Sequence, residues 1–466
     1  MIAELLNRDF VLQQLSEVRE DLERSVATET ADGAATDSPD AALLAELRDA
    51  EAREQIASSG ATGFEAPEAD RRGQEPAPLD DFAFLSRDPI VSLVQSALDE
   101  YFVRDDHAHE LTVAPPEDDD RRGGNEIMVA DTRLGQVPQR TADGRRVFDK
   151  FSITDLRWVR SKIAEGVTLL RKKHAFNENP SPPSTIPDRV RLLLVGDWGS
   201  GLPRALKVSR EMSKILNQGR DDRVPQHVIH LGDVYYSGWE HEVLRRFLTP
   251  WPVLPDEAET IGSWSINGNH EMFSGGHAYF DVLLADARFH RQAKSSFFSL
   301  VNRHWKILGL DTAWDGDYSL PDPQTTWLRD EIADGSRKVV LLSHHQLFST
   351  YDKMNVGFFD RVGGALARRP ARAWFWGHEH RCVVYHPTDS VQAARCIGHG
   401  GVPVYMWREA ADPYPANVEY EYRGWYPKGF ERWALFGFVA LDFDGPTVTV
   451  RYINEDGIEH REETLS

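Results

Sequence analysis

A chain of 466 residues is too long for one ordinary domain, and its 41% apolar content suffices for a packed core. A formal net charge of −21 argues against a general nucleic-acid or membrane-surface binder, because a polyanion is repelled unless a local cationic site, such as a bound metal, intervenes. The sequence has no basic start followed by an apolar stretch and no run of about 18 apolar residues, and Cys382 and Cys396 alone cannot build a secreted disulfide framework. The expectation is a soluble, cytoplasmic protein with one large domain and an appendage. The two cysteines, placed to face each other on a hairpin turning near 387–390, read as buried thiols.

Residues 1–180 form the expected appendage, a helical, acidic and partly disordered region. The first 80 residues carry 19 acidic against 7 basic side chains. Ile2, Leu5, Leu6 and Phe10 recur at helical spacing, and 41–57 is rich in helix formers. Further helices are predicted over 88–103 and 154–174, the latter capped by Thr154 and ending in basic residues that suit the helix dipole. The acidic run 117–120 lacks the ligand spacing of a calcium loop. Residues 181–187, rich in proline, read as a semi-rigid linker.

From 188 to 466 the texture changes to a catalytic domain of alternating strands and helices. Apolar, β-branched runs precede Asp197, Gly232, Asn269, Ser343 and Gly377. Asp197, Asp233 and Asn269 are spaced by 36 residues in each interval, which accommodates one βαβ crossover unit. Later strands follow at shorter spacing with turn signals at 444 and 456, which implies antiparallel pairs. The expected fold is α/β, two packed mixed β-sheets flanked by helices. Trp374 and Trp376 alternate with Phe375, so both faces of that strand are expected to be buried.

Five motifs end these runs: GDWG at 196–199, GDVYY at 232–236, GNHE at 268–271, SHH at 343–345 and GHEH at 377–380. Loops beyond the carboxyl ends of strands share one crevice, so residues distant in sequence converge there. The inventory is Asp197, Asp233, Asn269, His344, His378 and His380, with Tyr236 as an additional oxygen donor. Such mixed ligands suit iron, manganese or zinc, and Asp233 is the natural bridge between two ions.

This order of motifs resembles the purple acid phosphatases within the calcineurin-like metallophosphoesterases, over residues of about 188 to 466. The resemblance implies a first metal held by Asp197, Tyr236 and His380, a second held by Asn269, His344 and His378, and Asp233 shared. Many relatives have a histidine where this chain has Gly199, and Tyr236 is expected to fill that vacancy as a phenolate favouring Fe(III), beside Fe(II), Zn(II) or Mn(II). Tyr235 is adjacent, but the family register selects Tyr236. The implied reaction is in-line attack on phosphorus by a metal-bound hydroxide, with His270 and His345 assisting proton transfer and Glu271 orienting a histidine. His399 could face the cleft or serve structure, whereas His277, His290, His304 and His386 read as structural or surface residues.

A phosphomonoesterase acting on a small phosphorylated substrate is the leading expectation. A phosphodiesterase acting on a cyclic nucleotide, nucleic acid or phospholipid head group is the alternative. A non-catalytic role, recruitment of a protein partner through the N-terminal region, forms the third. That region lacks the β-rich accessory domain of plant-type purple acid phosphatases.

Overall fold

A computed structural model describes residues 173–466, apart from 317, 352–355, 367–368, 405, 407–409 and 426–432, together with scattered helical positions between 12 and 53. These two sets belong to separate compact units. In the first, Leu15, Leu44, Leu47 and Ala50 are buried, and Arg19 and Arg48 both donate to Glu23 Oε1 at 2.8 Å. The helical positions from 44 to 53 fall within the helix expected over 41–57. The helices expected at 2–10 and 88–103, and all of that at 154–174 except its end, lie outside the described residues.

The second unit is built on two sheets. One has the order β14-β13-β12-β2-β3-β4. It comprises β2 (Arg189–Val195), β3 (Gln226–His230), β4 (Ile261–Ser265), β12 (Gly437–Asp444), β13 (Thr447–Asn454) and β14 (Glu459–Leu465). The other has the order β1-β5-β6-β7-β8-β10-β9-β11. Its strands are β1 (Ser184–Thr185), β5 (Phe298–Val301), β6 (Trp305–Leu310), β7 (Lys338–Ser343), β8 (Ala373–Trp376), β9 (Cys382–Tyr385), β10 (Ala394–Ile397) and β11 (Val418–Glu421). Both sheets are mixed: β2, β3 and β4 run parallel, as do β6, β7 and β8, while the β12–β13–β14 meander is antiparallel.

Leu192, Leu194, Ile229 and Trp264 of the first sheet meet Phe298, Ile307, Val340 and Phe375 of the second in one continuous apolar layer. The opposite face of the second sheet carries Trp374 and Trp376 against Leu328 and Val362, from α3 (Asp322–Ala333) and α4 (Val356–Leu366). Period-2 alternation along β8 thus buries both faces, as its sequence predicts. On the first sheet, α1 (Pro203–Asp221) makes the crossover from β2 to β3, starting at a proline whose missing N–H costs nothing in a first turn. A short helix, α2 (Asn269–Phe273), follows β4.

Two expectations need correction or refinement. The Pro-rich stretch 181–187 is not a spacer: Ser181 and Ile186 are buried, and β1 pairs in parallel with β5 through Ser184↔Leu300. Proline prevents a helix there but is compatible with an edge strand. The cysteines are free and buried, on neighbouring strands but one step out of register, with Ile397↔Cys382 and Cys396↔Val383. That single step sends their side chains to opposite faces of the sheet. Among the described residues no helix is long and apolar enough to cross a membrane.

Candidate metal centre

Strands from both sheets end at one place. Asp197 follows β2, Asp233 follows β3, Asn269 opens α2 after β4, His344 follows β7, and His378 and His380 follow β8. Asp197, Asp233, His378 and His380 have φ values of 56°, 74°, 68° and 48°, in the left-handed region that residues with a Cβ avoid. Each such residue costs about 1–3 kcal/mol, and such conformations cluster at functional sites. Glycine supplies close approach beside them. A Cβ on Gly268 would collide with the Asp233 carboxylate, and one on Gly377 with that of Asp197.

The side chains gather in two groups that share Asp233. In the first, the Tyr235 hydroxyl lies 3.0 Å from Asp197 Oδ1, 2.9 Å from Asp233 Oδ2 and 2.8 Å from His380 Nε2. His380 Nε2 is 3.4 Å from Asp197 Oδ1. In the second, His344 Nε2 lies 2.9 Å from Asn269 Oδ1, 3.3 Å from His378 Nδ1 and 3.4 Å from Asp233 Oδ1. The two oxygens of one carboxylate therefore face different donor sets.

The electrostatics are those of a cation site. Asp197 and Asp233 are buried, and among the described residues neither pairs with a lysine or arginine. Burial, then the charges of Asp197 and Glu271, hold the Asp233 carboxyl well above the usual carboxylate range. Burial also opposes ionisation of Asp197, but its hydrogen bond to His380 and the nearby histidines bring it down to about 2. The Tyr235 phenol is pushed well up by burial and by both carboxylates. His344 is brought to about 3, chiefly by burial, so its ring is neutral. Its Nδ1 lies 2.9 Å from the Leu231 carbonyl, which only accepts, so the ring proton is assigned there. Nε2 then turns a lone pair toward the oxygens of Asn269 and Asp233, an arrangement that a cation between them would relieve.

All six aspartate, asparagine and histidine residues of the sequence inventory are thus brought together. Tyr236 is not. The phenol among the carboxylates belongs to Tyr235, while Tyr236 contributes its backbone carbonyl to His270 Nδ1 and its ring lies 5.6 Å from the Arg246 guanidinium. Both tyrosines lie in the turn that follows β3, and that turn brings the first of them to the carboxylates. Glu271 also differs from expectation. Its carboxylate accepts from the backbone N–H groups of Gly268 at 2.8 Å and Asp233 at 3.2 Å, tying two motif loops together. Burial raises its carboxyl to about 7 against these bonds.

His270 Nε2 stands 3.9 Å from Asp233 Oδ2, and the His270 backbone N–H donates to Asp233 Oδ1 at 3.1 Å. His345 is buried with Nδ1 3.0 Å from Thr312 Oγ1, and its ring packs 4.7 Å from that of His378. Burial, then the neighbouring His378 and His344, keeps it neutral. Sequence reasoning did not anticipate Tyr235, Thr312 or the glycine cradle. Only the glycines had a visible signal, since each opens a motif.

Two facing mixed sheets whose strand ends converge on this cluster define an α/β domain with candidate metal-binding groups at one edge. Residues 190–382 match the family described as calcineurin-like phosphoesterase, which supports a metal-dependent phosphoesterase. Among solved structures, the chain is similar to GAP50, "the anchor in the inner membrane complex of Plasmodium", with 10% identity over 60% of this chain and 89% of that one and a TM-score of 0.45. It is also similar to a predicted phosphoesterase from Streptococcus pneumoniae, with 11% identity, 60% and 98% coverage and a TM-score of 0.27. Vps29 from Entamoeba histolytica shares 12% identity, with 59% and 98% coverage and a TM-score of 0.26. No curated protein sequence matches the chain.

Proposed function

We propose that the domain is a phosphomonoesterase of the purple acid phosphatase type that works with two metal ions. The observation that carries this reading is the division of Asp233, whose Oδ2 faces Tyr235 and whose Oδ1 faces His344. Asp197, Tyr235 and His380 would hold the first ion, and Asn269, His344 and His378 the second, with Asp233 shared. A phenolate among carboxylates favours Fe(III) in the first position, beside Fe(II), Zn(II) or Mn(II) in the second. When bound, the ions supply Lewis acidity that neutralises phosphoryl charge and acidifies coordinated water.

The chain's own contribution is to enclose and to move protons. Asn269 and His270 are only 9% and 7% exposed, an enclosure better suited to a terminal phosphoryl group than to the middle of a diester. The Tyr236 carbonyl fixes the Nδ1 proton of His270 and leaves Nε2 to hold a phosphate oxygen or to pass a proton to the leaving oxygen. His345, backed by Thr312, would steady the ester from the other side.

The metal-loaded protein is expected to hydrolyse para-nitrophenyl phosphate faster than bis(para-nitrophenyl) phosphate. Preference for the diester would overturn the monoester reading. In the same assay His270→Gln is expected to lose about 10²- to 10⁴-fold in kcat with unchanged metal content. Unaltered turnover would remove His270 from proton transfer.

A further inference from the structure

A second group of potential ligands lies between the sheets and is not used by the reaction above. Cys382 on β9, His399 in the loop after β10 and His460 on β14 bring one ligand atom each to within 4.8 Å of the others. Cys382 and His399 are 2% exposed. The Ile397 carbonyl influences His399, but neither ring nitrogen of this histidine reaches hydrogen-bond geometry. His460 is held by its other edge: Nδ1 lies 2.9 Å from the Tyr420 hydroxyl, and the ring stacks on Tyr422 at 3.6 Å. That leaves His460 Nε2, buried and with no hydrogen-bond partner among the described residues. A cavity of about 10 Å³, close to the room one water requires, adjoins Cys382, His399 and Glu421.

Buried imidazole nitrogens without partners cost about 1–3 kcal/mol each. Packing alone gives no reason to collect two such rings around a thiol, whereas a thiolate with two neutral imidazoles is a donor set for a borderline-soft cation. The Tyr420 contact resembles the outer hydrogen bond that commonly orients a ligating histidine. We propose that Cys382, His399 and His460 form a third metal site, for a cation of the zinc class, with the adjoining cavity taking a water as fourth ligand. Binding forms the metal–sulfur bond, releases the thiol proton to solvent and involves no change of oxidation state. The ion would clamp β14 of the six-stranded sheet to β9 of the eight-stranded one, two residues beyond His380. This site does not depend on which ester the enzyme prefers.

Cobalt(II) titration of the full chain, stripped of metal by a chelator, tests this. Cobalt bound by oxygen and nitrogen alone gives no thiolate charge-transfer band in the near ultraviolet, and the chain has only two cysteines. The band is expected to saturate at one equivalent, to vanish in Cys382→Ser and to persist in Cys396→Ser. His460→Gln, at a half-buried position that retains the thiol, should weaken cobalt binding at this site by about tenfold or more. Absence of the band in the wild-type chain, its persistence in Cys382→Ser, or unchanged affinity in His460→Gln would overturn the proposal.

Discussion

Asp233→Asn is expected to lower kcat/KM by about 10³-fold, the scale on which one electrostatic stabiliser contributes to a transition state. Asparagine keeps the shape but not the charge, and the two carboxylate oxygens of Asp233 face the two donor groups. Both ions should therefore bind more weakly, which metal analysis after dialysis would show. The metal-free protein should respond in the opposite direction. Because burial raises the Asp233 carboxyl in the folded state, the folded chain holds a proton that the unfolded chain releases. Stability is then fully present below the ordinary carboxylate range and is lost as pH rises through and above it. Urea unfolding without metal should thus show Asp233→Asn gaining on the wild type as pH rises from about 5 to 8. Equal metal content and undiminished turnover in the variant would contradict the shared-ligand assignment.

Tyr235→Phe should remove the visible absorption expected of a phenolate bound to Fe(III), and Tyr236→Phe should leave it in place. The structure makes this contrast sharp, since the Tyr235 hydroxyl lies within 3.0 Å of both carboxylates. Loss of a ligand should also lower iron affinity, by at least the 10- to 100-fold typical of groups that merely support one. If the colour survives Tyr235→Phe and disappears in Tyr236→Phe, the family register is right and the placement of the turn after β3 is not. A colourless, fully active protein loaded only with zinc or manganese would count against the phenolate in either position.

The sequence made much of this arrangement legible because each motif follows an apolar run with the texture of a buried strand. Asp197, Asp233 and Asn269 could be placed at neighbouring strand ends from their equal spacing, and β2, β3 and β4 do lie side by side in parallel. His344, His378 and His380 were legible for the same reason on the second sheet. The choice between Tyr235 and Tyr236 was not, because it depends on how a turn directs two identical side chains. Nor was the role of Glu271, whose partners are backbone amides that carry no sequence signature. Residues 181–187 misled because proline content reports the loss of a helix but not the gain of an edge strand. The Cys382, His399 and His460 group was hidden for a different reason: its members come from three segments, and no spacing connects them.

The left-handed backbone at Asp197, Asp233, His378 and His380 bears on the history of such a chain as well as on its chemistry. These are conformations in which glycine is the relaxed choice and a functional side chain is retained at a cost in stability. A descendant freed from hydrolysis, kept only as a scaffold, would gain stability by drifting to glycine or asparagine at these positions while preserving Leu192, Ile229 and Trp264 beneath them. Four backbone angles therefore offer a way to tell working enzymes from retired ones among chains with this fold, before any substrate is known.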